Sequence, residues 1–197
     1  MSVVTPHFFT ALLSLSLLSW PLLGEAENQR SKTNSPKVSQ KASMGPLIEN
    51  YGPVFDVPQA SFPLNTEQAL KTVFDVGASP DDKTSLNRRL ESVARYMNMH
   101  ARAGYSAKQM DIAVVLHGAA SWNALSDTAY QQRFGDENPN TALIKALKDQ
   151  GVSFWLCGQS AGFNGIAAGE VSEQVGFSLS AMTALQQLQS QGYALLP

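Results

Sequence analysis

The sequence is poor in cysteine, histidine and charge. Its 197 residues include one cysteine and three histidines, and only 15% are Asp, Glu, Lys or Arg. A single cysteine excludes an internal disulfide, and so few cysteines and histidines form no recognisable metal-binding pattern. The sequence also lacks a glycine-rich phosphate loop and a dinucleotide-binding motif. We therefore expect neither a metal nor a cofactor.

Basic residues are too few and too scattered for nucleic-acid binding. The 14 Lys and Arg residues are outnumbered by 16 Asp and Glu residues, whereas proteins that bind a phosphate backbone present a concentrated basic surface. With 44% hydrophobic residues, the chain is instead typical of one globular domain with an appendage. A core of about 150 residues buries roughly two-thirds of its unfolded surface, which is enough to fold without a metal or a disulfide.

The N-terminus predicts an export signal. Residues 1–26 contain one acidic residue and no Lys or Arg, and their apolar stretch from Phe8 to Leu23 is short for a membrane-spanning helix. Gly24 and Ala26 supply small residues at the spacing that a signal peptidase requires. We predict cleavage after about Ala26, a periplasmic location and no stable membrane insertion after cleavage. The alternative is an anchor that is retained.

A polar linker and a proline-rich arm follow. Residues 27–45 are rich in Ser, Lys, Asn and Gln and carry a net charge of +3. Such a segment offers too little apolar surface to offset the entropy of ordering, so we predict a flexible linker. Within residues 46–63 four prolines recur among aromatic and β-branched residues, which favours an extended arm lying on the domain. The domain with its arm thus spans residues 46–197.

Beyond the arm, the hydrophobic pattern alternates between strand and helix types. Apolar and β-branched runs predict five strands, near residues 71–76, 111–116, 152–156, 175–179 and 193–196. Amphipathic spacing predicts helices over about 86–101, 141–150, from 160, and over 181–190. This alternation implies an α/β fold with a mainly parallel sheet and helices on both faces, because parallel neighbours require crossover connections. In such sheets functional groups gather at the carboxyl ends of the strands.

Cys157 is the strongest candidate for chemistry at those strand ends. It ends the third predicted strand and precedes a helix, so unsatisfied backbone N–H groups would favour its thiolate. His117 ends the second strand and could orient or acidify a neighbouring thiol. The candidate binding residues flank these two: Gly118, Gly158, Gln159, Ser160 and Asn164. The alternatives are an inert buried cysteine and a histidine whose ring hydrogen-bonds a loop carbonyl.

Two further motifs overlap this segment. Residues 158–162, GQSAG, match the G-x-S-x-G nucleophile elbow, but a hydrolase of that class needs an acid and then a histidine downstream. Neither histidine nor aspartate follows Ser160, so we predict that this serine caps a helix instead. Residues 157–160, CGQS, match a one-thiol form of the C-x-x-C redox motif, which would exchange with an external thiol.

Several motifs follow one another along the chain: LHGAASWNAL (116–125), DENPN (136–140), LCGQSAGFNGI (156–166) and LSAMTALQQLQSQGYALLP (179–197), preceded by the arm YGPVFDVPQASFP (51–63). Together they resemble the DsrE/DsrF-like family, in its exported branch. The resemblance covers about residues 47–197. It implies a three-layer α/β/α fold with a five-stranded, mainly parallel sheet, commonly assembled into homo-oligomers.

The resemblance also implies a chemistry. Cytoplasmic relatives relay sulfur as a persulfide on a cysteine near the position of Cys157, and in many of them Arg-Gly follows; here Asn164 occupies the arginine position. The chain is therefore expected to accept, hold or pass sulfur, or to form a transient mixed disulfide, through Cys157. Its partners would be small sulfur species or a partner thiol protein. The alternative is a non-catalytic binding or assembly module with a structural cysteine.

Overall fold

The computed structural model describes residues 41–197, which belong to one compact unit. The predicted signal peptide and most of the predicted linker lie outside these residues. Within the described range, no helix has both the length and the hydropathy that a membrane crossing requires.

Five strands form one sheet, and every neighbouring pair is parallel. The strands are β1 (Leu70–Val76), β2 (Met110–Leu116), β3 (Ser153–Cys157), β4 (Gly176–Ser178) and β5 (Ala194–Leu196). Their order across the sheet is β4-β3-β2-β1-β5. The predicted five-stranded, mainly parallel sheet is confirmed, and the observed strand ends differ from the predicted ends by one residue at most.

Helices pack on both faces of this sheet. They are α1 (Arg88–Arg102), α2 (Asp127–Phe134), α3 (Thr141–Asp149), α4 (Gly158–Phe163) and α5 (Ala181–Ser190), with 3-10 turns at Ala107–Gln109, Gly118–Ala124 and Ala168–Glu170. On one face, Leu90 and Met97 of α1 and Leu143 of α3 join the main core. On the other face, Leu185 and Leu188 of α5 pack on the strands. The predicted three-layer α/β/α fold is confirmed.

The two faces of β2 and β3 are used differently because side chains alternate along a strand. Ile112, Val114 and Leu156 point towards the main core and are buried. Their neighbours Val115 and Cys157 belong to the smaller cluster beneath α5. The alternation therefore fixes the face on which Cys157 lies, at the carboxyl end of β3.

The hydrophobic pattern does not predict α2. Its sequence, DTAYQQRF, has no continuous apolar stripe, although Tyr130 is buried. The ends of the helix stabilise it instead, since the Ser126 side chain accepts the N–H of Ala129. Gly135 ends the helix in the left-handed conformation, with φ of 89°.

Residues upstream of β1 are held on α1 by side-chain hydrogen bonds. The buried Asn98 side chain accepts the N–H of Ile48 at 2.9 Å and donates to the Ile48 carbonyl at 3.0 Å. One turn later along α1, Arg102 donates to the carbonyls of Ser43 and Met44. Contacts with α1 therefore begin at Ser43, inside the stretch that the sequence assigns to the linker.

Four buried asparagines join the loops at the carboxyl edge of the sheet. The Asn87 amide donates to Asn123 Oδ1 at 2.7 Å, and Asn140 Oδ1 accepts the Asn87 N–H at 2.8 Å. Asn138 donates to the Asn123 carbonyl at 2.9 Å. Because buried polar groups are costly when unpaired, this network fixes the loops that surround the strand ends.

Candidate functional site

The candidate site lies at the carboxyl ends of β2 and β3, which are neighbours in the sheet. Leu116 pairs with Leu156, so His117 and Cys157 follow on adjacent strands. Each strand then leads directly into a helical segment: a 3-10 turn beginning at Gly118 and α4 beginning at Gly158.

Cys157 caps α4 with its sulfur. The Sγ atom accepts the N–H of Ser160 at 3.4 Å, and the backbone of Cys157 is extended, with φ of −65° and ψ of 114°. The sequence favoured Ser160 as the cap, and this prediction is wrong. The helix begins at Gly158, so Ser160 is its third residue and donates to the cap instead of acting as one.

Hydrogen bonds lower the pKa of the Cys157 thiol. Burial is the largest influence and acts in the opposite direction, since it disfavours the charged form. The hydroxyl and N–H of Ser160, together with the backbone groups of Ala181 and Gln159, outweigh it and leave the pKa below its ordinary value. The favoured thiolate is the nucleophilic form of cysteine.

The sulfur is nearly covered in this conformation. Cys157 is 4% exposed, and it packs with Ala113 and Val115 of β2 and with Ala181 of α5. A reagent in solution therefore reaches the thiol only when neighbouring side chains move.

Gly158 lies too close to the next strand for any other residue. A Cβ atom at this position would be 2.9 Å from the Ser178 carbonyl oxygen and 3.3 Å from the Leu179 carbonyl oxygen. The adjacent Gln159 side chain donates to the Leu179 carbonyl at 3.3 Å. These contacts place the first turn of α4 against the segment that leads from β4 to α5.

His117 is bonded to a carboxylate. Its Nε2 atom lies 2.7 Å from Oδ1 of Asp75, which belongs to β1. The ring lies against Gly77, where an added Cβ would be 2.6 Å from Cε1. Since β2 separates β1 from β3, the imidazole is turned away from the strand that carries Cys157. Among the hydrogen bonds of residues 41–197, none joins His117 to Cys157.

Asp75 is a residue that sequence reasoning missed. It lies inside the apolar run KTVFDV, near the carboxyl end of β1. The sequence contains one signal for its role: a charged residue inside an otherwise apolar strand, next to the strand that leads to His117. Three or more His, Cys, Asp or Glu side chains do not converge as a metal site anywhere in the described range.

The turn at Gly118 contacts α4 directly. The N–H of Gly118 donates to Ser160 Oγ at 3.0 Å, and the Asn164 amide donates to the Gly118 carbonyl at 3.3 Å. Asn164 also donates to Ser121 Oγ at 2.8 Å, and the Ser121 hydroxyl donates to the Gly118 carbonyl. The 3-10 turn and α4 therefore share one hydrogen-bond network.

A cleft of about 470 Å³ opens between the 3-10 turn and α4. Its lining consists of Gly118, Ala119, Trp122, Gln159, Ser160, Phe163 and Asn164. None of these side chains is charged, and Phe163 is 92% exposed. Four of the five candidate binding residues thus share one cleft, whereas Gly158 lies beneath it against β4.

The chain matches one protein-family model and is similar to solved structures. The DsrE/DsrF-like family is matched by residues 71–197. Among solved structures, a protein of unknown function from Methanobacterium thermoautotrophicum is 18% identical; the match covers 64% of this chain and 97% of that one, with a TM-score of 0.48. The ychN protein from Escherichia coli is also 18% identical, over 64% of this chain and 96% of that one, with a TM-score of 0.46. No curated protein matches the chain.

Proposed function

Because this chain belongs to the DsrE/DsrF-like family, we propose that it is an exported thiol protein that carries sulfur or exchanges disulfides through Cys157. It acts in the periplasm as a homo-oligomer. Its partners are small sulfur species or a partner protein that presents a thiol or disulfide.

The observation that carries this proposal is the set of hydrogen bonds on the sulfur. A buried cysteine with a purely structural role needs no donors, because a thiol packs as a small apolar group. Here the N–H of Ser160 points at Sγ, and the surrounding donors lower the pKa of Cys157 despite its burial. Lowered thiol pKa values are typical of reactive cysteines.

The chemistry is nucleophilic attack by the Cys157 thiolate on a second sulfur atom. With thiosulfate, a new S–S bond forms at Sγ, the bond between the two thiosulfate sulfurs breaks, and sulfite leaves with the electron pair. With a disulfide, Sγ forms a mixed disulfide and the other sulfur leaves as a thiolate. In both cases the thiol proton has already been lost to solvent. No external oxidant is needed, because the S–S bond that breaks replaces the S–S bond that forms and the leaving group keeps the electron pair.

The cleft between the 3-10 turn and α4 favours uncharged groups. Its lining includes Trp122, Phe163 and Asn164, the last at the position where the family resemblance implies an arginine in many relatives. A persulfide on Cys157 would therefore depend on backbone N–H groups for charge stabilisation. The side chains that bury Cys157 also protect its thiol from oxidation in an oxidising compartment.

Intact mass spectrometry tests the proposal and separates its two forms. The native protein is incubated with thiosulfate or with a small disulfide, and the Cys157→Ser variant, which has no thiol, serves as the control. A sulfur carrier gains one sulfur atom from thiosulfate, whereas a disulfide exchanger gains half of the disulfide. Failure of native wild-type protein to form either adduct would contradict the proposal.

The second candidate is a binding or assembly module in which Cys157 is structural. Its 4% exposure and its packing with Ala113 and Val115 favour this function. In that case the thiol reacts only after denaturation, and Cys157→Ser leaves binding properties unchanged.

A further inference from the structure

Asp75 and His117 form a side-chain hydrogen bond outside the cleft. Their side chains are about one-third exposed, at 34% and 33%, and the Nε2–Oδ1 distance is 2.7 Å. A carboxylate bonded to one ring nitrogen fixes the orientation of a histidine, as it does in catalytic and metal sites. Asp75 therefore determines where the ring of His117 lies.

The turn that follows His117 is tied to β1 by its backbone as well. The His117 N–H donates to the Val76 carbonyl at 3.0 Å. Gly118 then adopts φ of 52°, and a Cβ atom on it would be 2.9 Å from the Gly77 carbonyl oxygen. Side chain and backbone together hold the turn against β1, in a conformation that glycine allows.

From this turn a chain of hydrogen bonds reaches Cys157. The Gly118 N–H donates to Ser160 Oγ at 3.0 Å, and the Ser160 N–H donates to Cys157 Sγ at 3.4 Å. A hydroxyl that accepts one hydrogen bond can still donate its own hydrogen. The Ser160 hydroxyl is also one of the groups that lower the pKa of Cys157. Hydrogen bonds in such chains polarise one another.

We propose that Asp75 and His117 are positioning residues, which fix the turn at Gly118 so that its N–H holds Ser160 in place against the sulfur of Cys157. Neither residue touches the sulfur. The inference rests on the proposed function, in which Cys157 is the reactive thiol. It adds that the reactivity of this thiol depends on Asp75, which lies two strands away in the sheet.

The central test is the thiolate fraction of Cys157 in the Asp75→Asn variant, followed by ultraviolet absorbance and by the rate of thiol labelling across pH. The amide keeps the size of the carboxylate but removes its charge. We expect the labelling rate near neutral pH to fall about two- to tenfold, as for the loss of one hydrogen bond to the sulfur. Asp75→Glu restores part of the rate, and His117→Gln behaves like Asp75→Asn.

Two further variants show whether the effect passes through Ser160. Ser160→Ala lowers the labelling rate by a similar factor, and adding Asp75→Asn to it produces no further loss, because the shared path is already broken. Asp111→Asn is the matched control, since Asp111 lies on β2 at the opposite end of the sheet. It leaves the rate unchanged.

An unchanged thiolate fraction in both Asp75→Asn and His117→Gln would overturn this inference alone. So would independent, additive effects of Asp75→Asn and Ser160→Ala. Absence of labelling in native wild-type protein would instead contradict the proposed function. Absorbance still tests the present inference in that case, because it detects the thiolate without requiring access to it.

Discussion

Cys157 combines two features that usually exclude each other: little exposure and a lowered pKa. Burial alone raises the pKa of a thiol, because a thiolate loses its hydration. The donors from Ser160, Gln159 and Ala181 replace that hydration with fixed protein groups. These donors thus favour the thiolate of a sulfur that solvent rarely reaches.

This lowered pKa makes folding stability depend on pH. A group whose pKa is lower in the folded than in the unfolded protein stabilises the fold once the pH exceeds the folded pKa. The contribution grows until the pH passes the unfolded value, near 8.5, and is lost as the pH falls through the folded pKa. We expect the difference in unfolding free energy between wild type and Cys157→Ser to increase as the pH rises towards the ordinary thiol pKa of about 8.5, and to level off above it. Urea denaturation at several pH values measures it, and a pH-independent difference would contradict the account.

Gly118 is a second residue whose identity is dictated by its surroundings. Its φ of 52° and its approach to the Gly77 carbonyl leave no room for a Cβ atom. We expect Gly118→Ala to lower the unfolding free energy by about 1–3 kcal/mol. Gly162→Ala, whose Cβ would meet no atom within 4 Å, is the matched control for thermal or urea denaturation. Equal stability of the two variants would show that the turn tolerates a side chain.

At the scale of elements, α1 joins the upstream arm to the sheet. The Asn98 side chain forms hydrogen bonds with the backbone of the arm through both its oxygen and its nitrogen. The oxygen accepts the N–H of Leu47, and the nitrogen donates to the carbonyls of Ile48 and Gly52.

Arg95 and Arg102 of α1 also contact the arm, through the Pro53 carbonyl and Asp56. Asn98 differs from these two arginines in being fully buried.

Removal of that side chain should release the arm. We expect Asn98→Ala to lower the unfolding free energy by about 2–4 kcal/mol, because several buried backbone groups lose their partner at once. Limited proteolysis should then cut within residues 41–69 sooner than in wild type. Met99→Ala, a substitution at the neighbouring exposed position, serves as the control. An arm that stays protected in Asn98→Ala would contradict this account of its attachment.

Elements with a strong hydrophobic period could be predicted from the sequence, and others could not. The apolar run DIAVVL identifies β2, and the stripe that includes Leu90 and Met97 identifies α1. Helix α2 has no such stripe and depends on its caps. The sequence pattern predicts the wrong cap for α4, because serine is a common N-cap residue. In the structure the strand continues to Cys157 and the helix begins directly after it, so the cysteine is the cap.

The candidate site was predictable in outline only. Parallel strand order places His117 and Cys157 at one edge, and that alone suggests a common site. The partner of His117 could not be read from the sequence, because it depends on the position of β1 beside β2 and on the space above Gly77. Register between strands is a tertiary property, and it decides which side chains meet.

At the scale of the whole molecule, export is a prediction about residues 1–26. The apolar stretch and the small residues before position 27 predict removal of this segment during secretion. We expect protein isolated from the periplasm to begin near Glu27, as N-terminal sequencing or intact mass would show. Substitution of Ala26 by a bulky residue should slow cleavage. A full-length chain that remains in the membrane or the cytoplasm would contradict export.

The whole account depends on whether native Cys157 reacts as a thiolate. Because the chain has one cysteine, the rate of thiol labelling of the folded protein across pH reports this residue alone. The account predicts labelling without denaturant, with a midpoint clearly below the ordinary thiol pKa of about 8.5. Labelling that occurs only after unfolding, or with an ordinary midpoint, would contradict it.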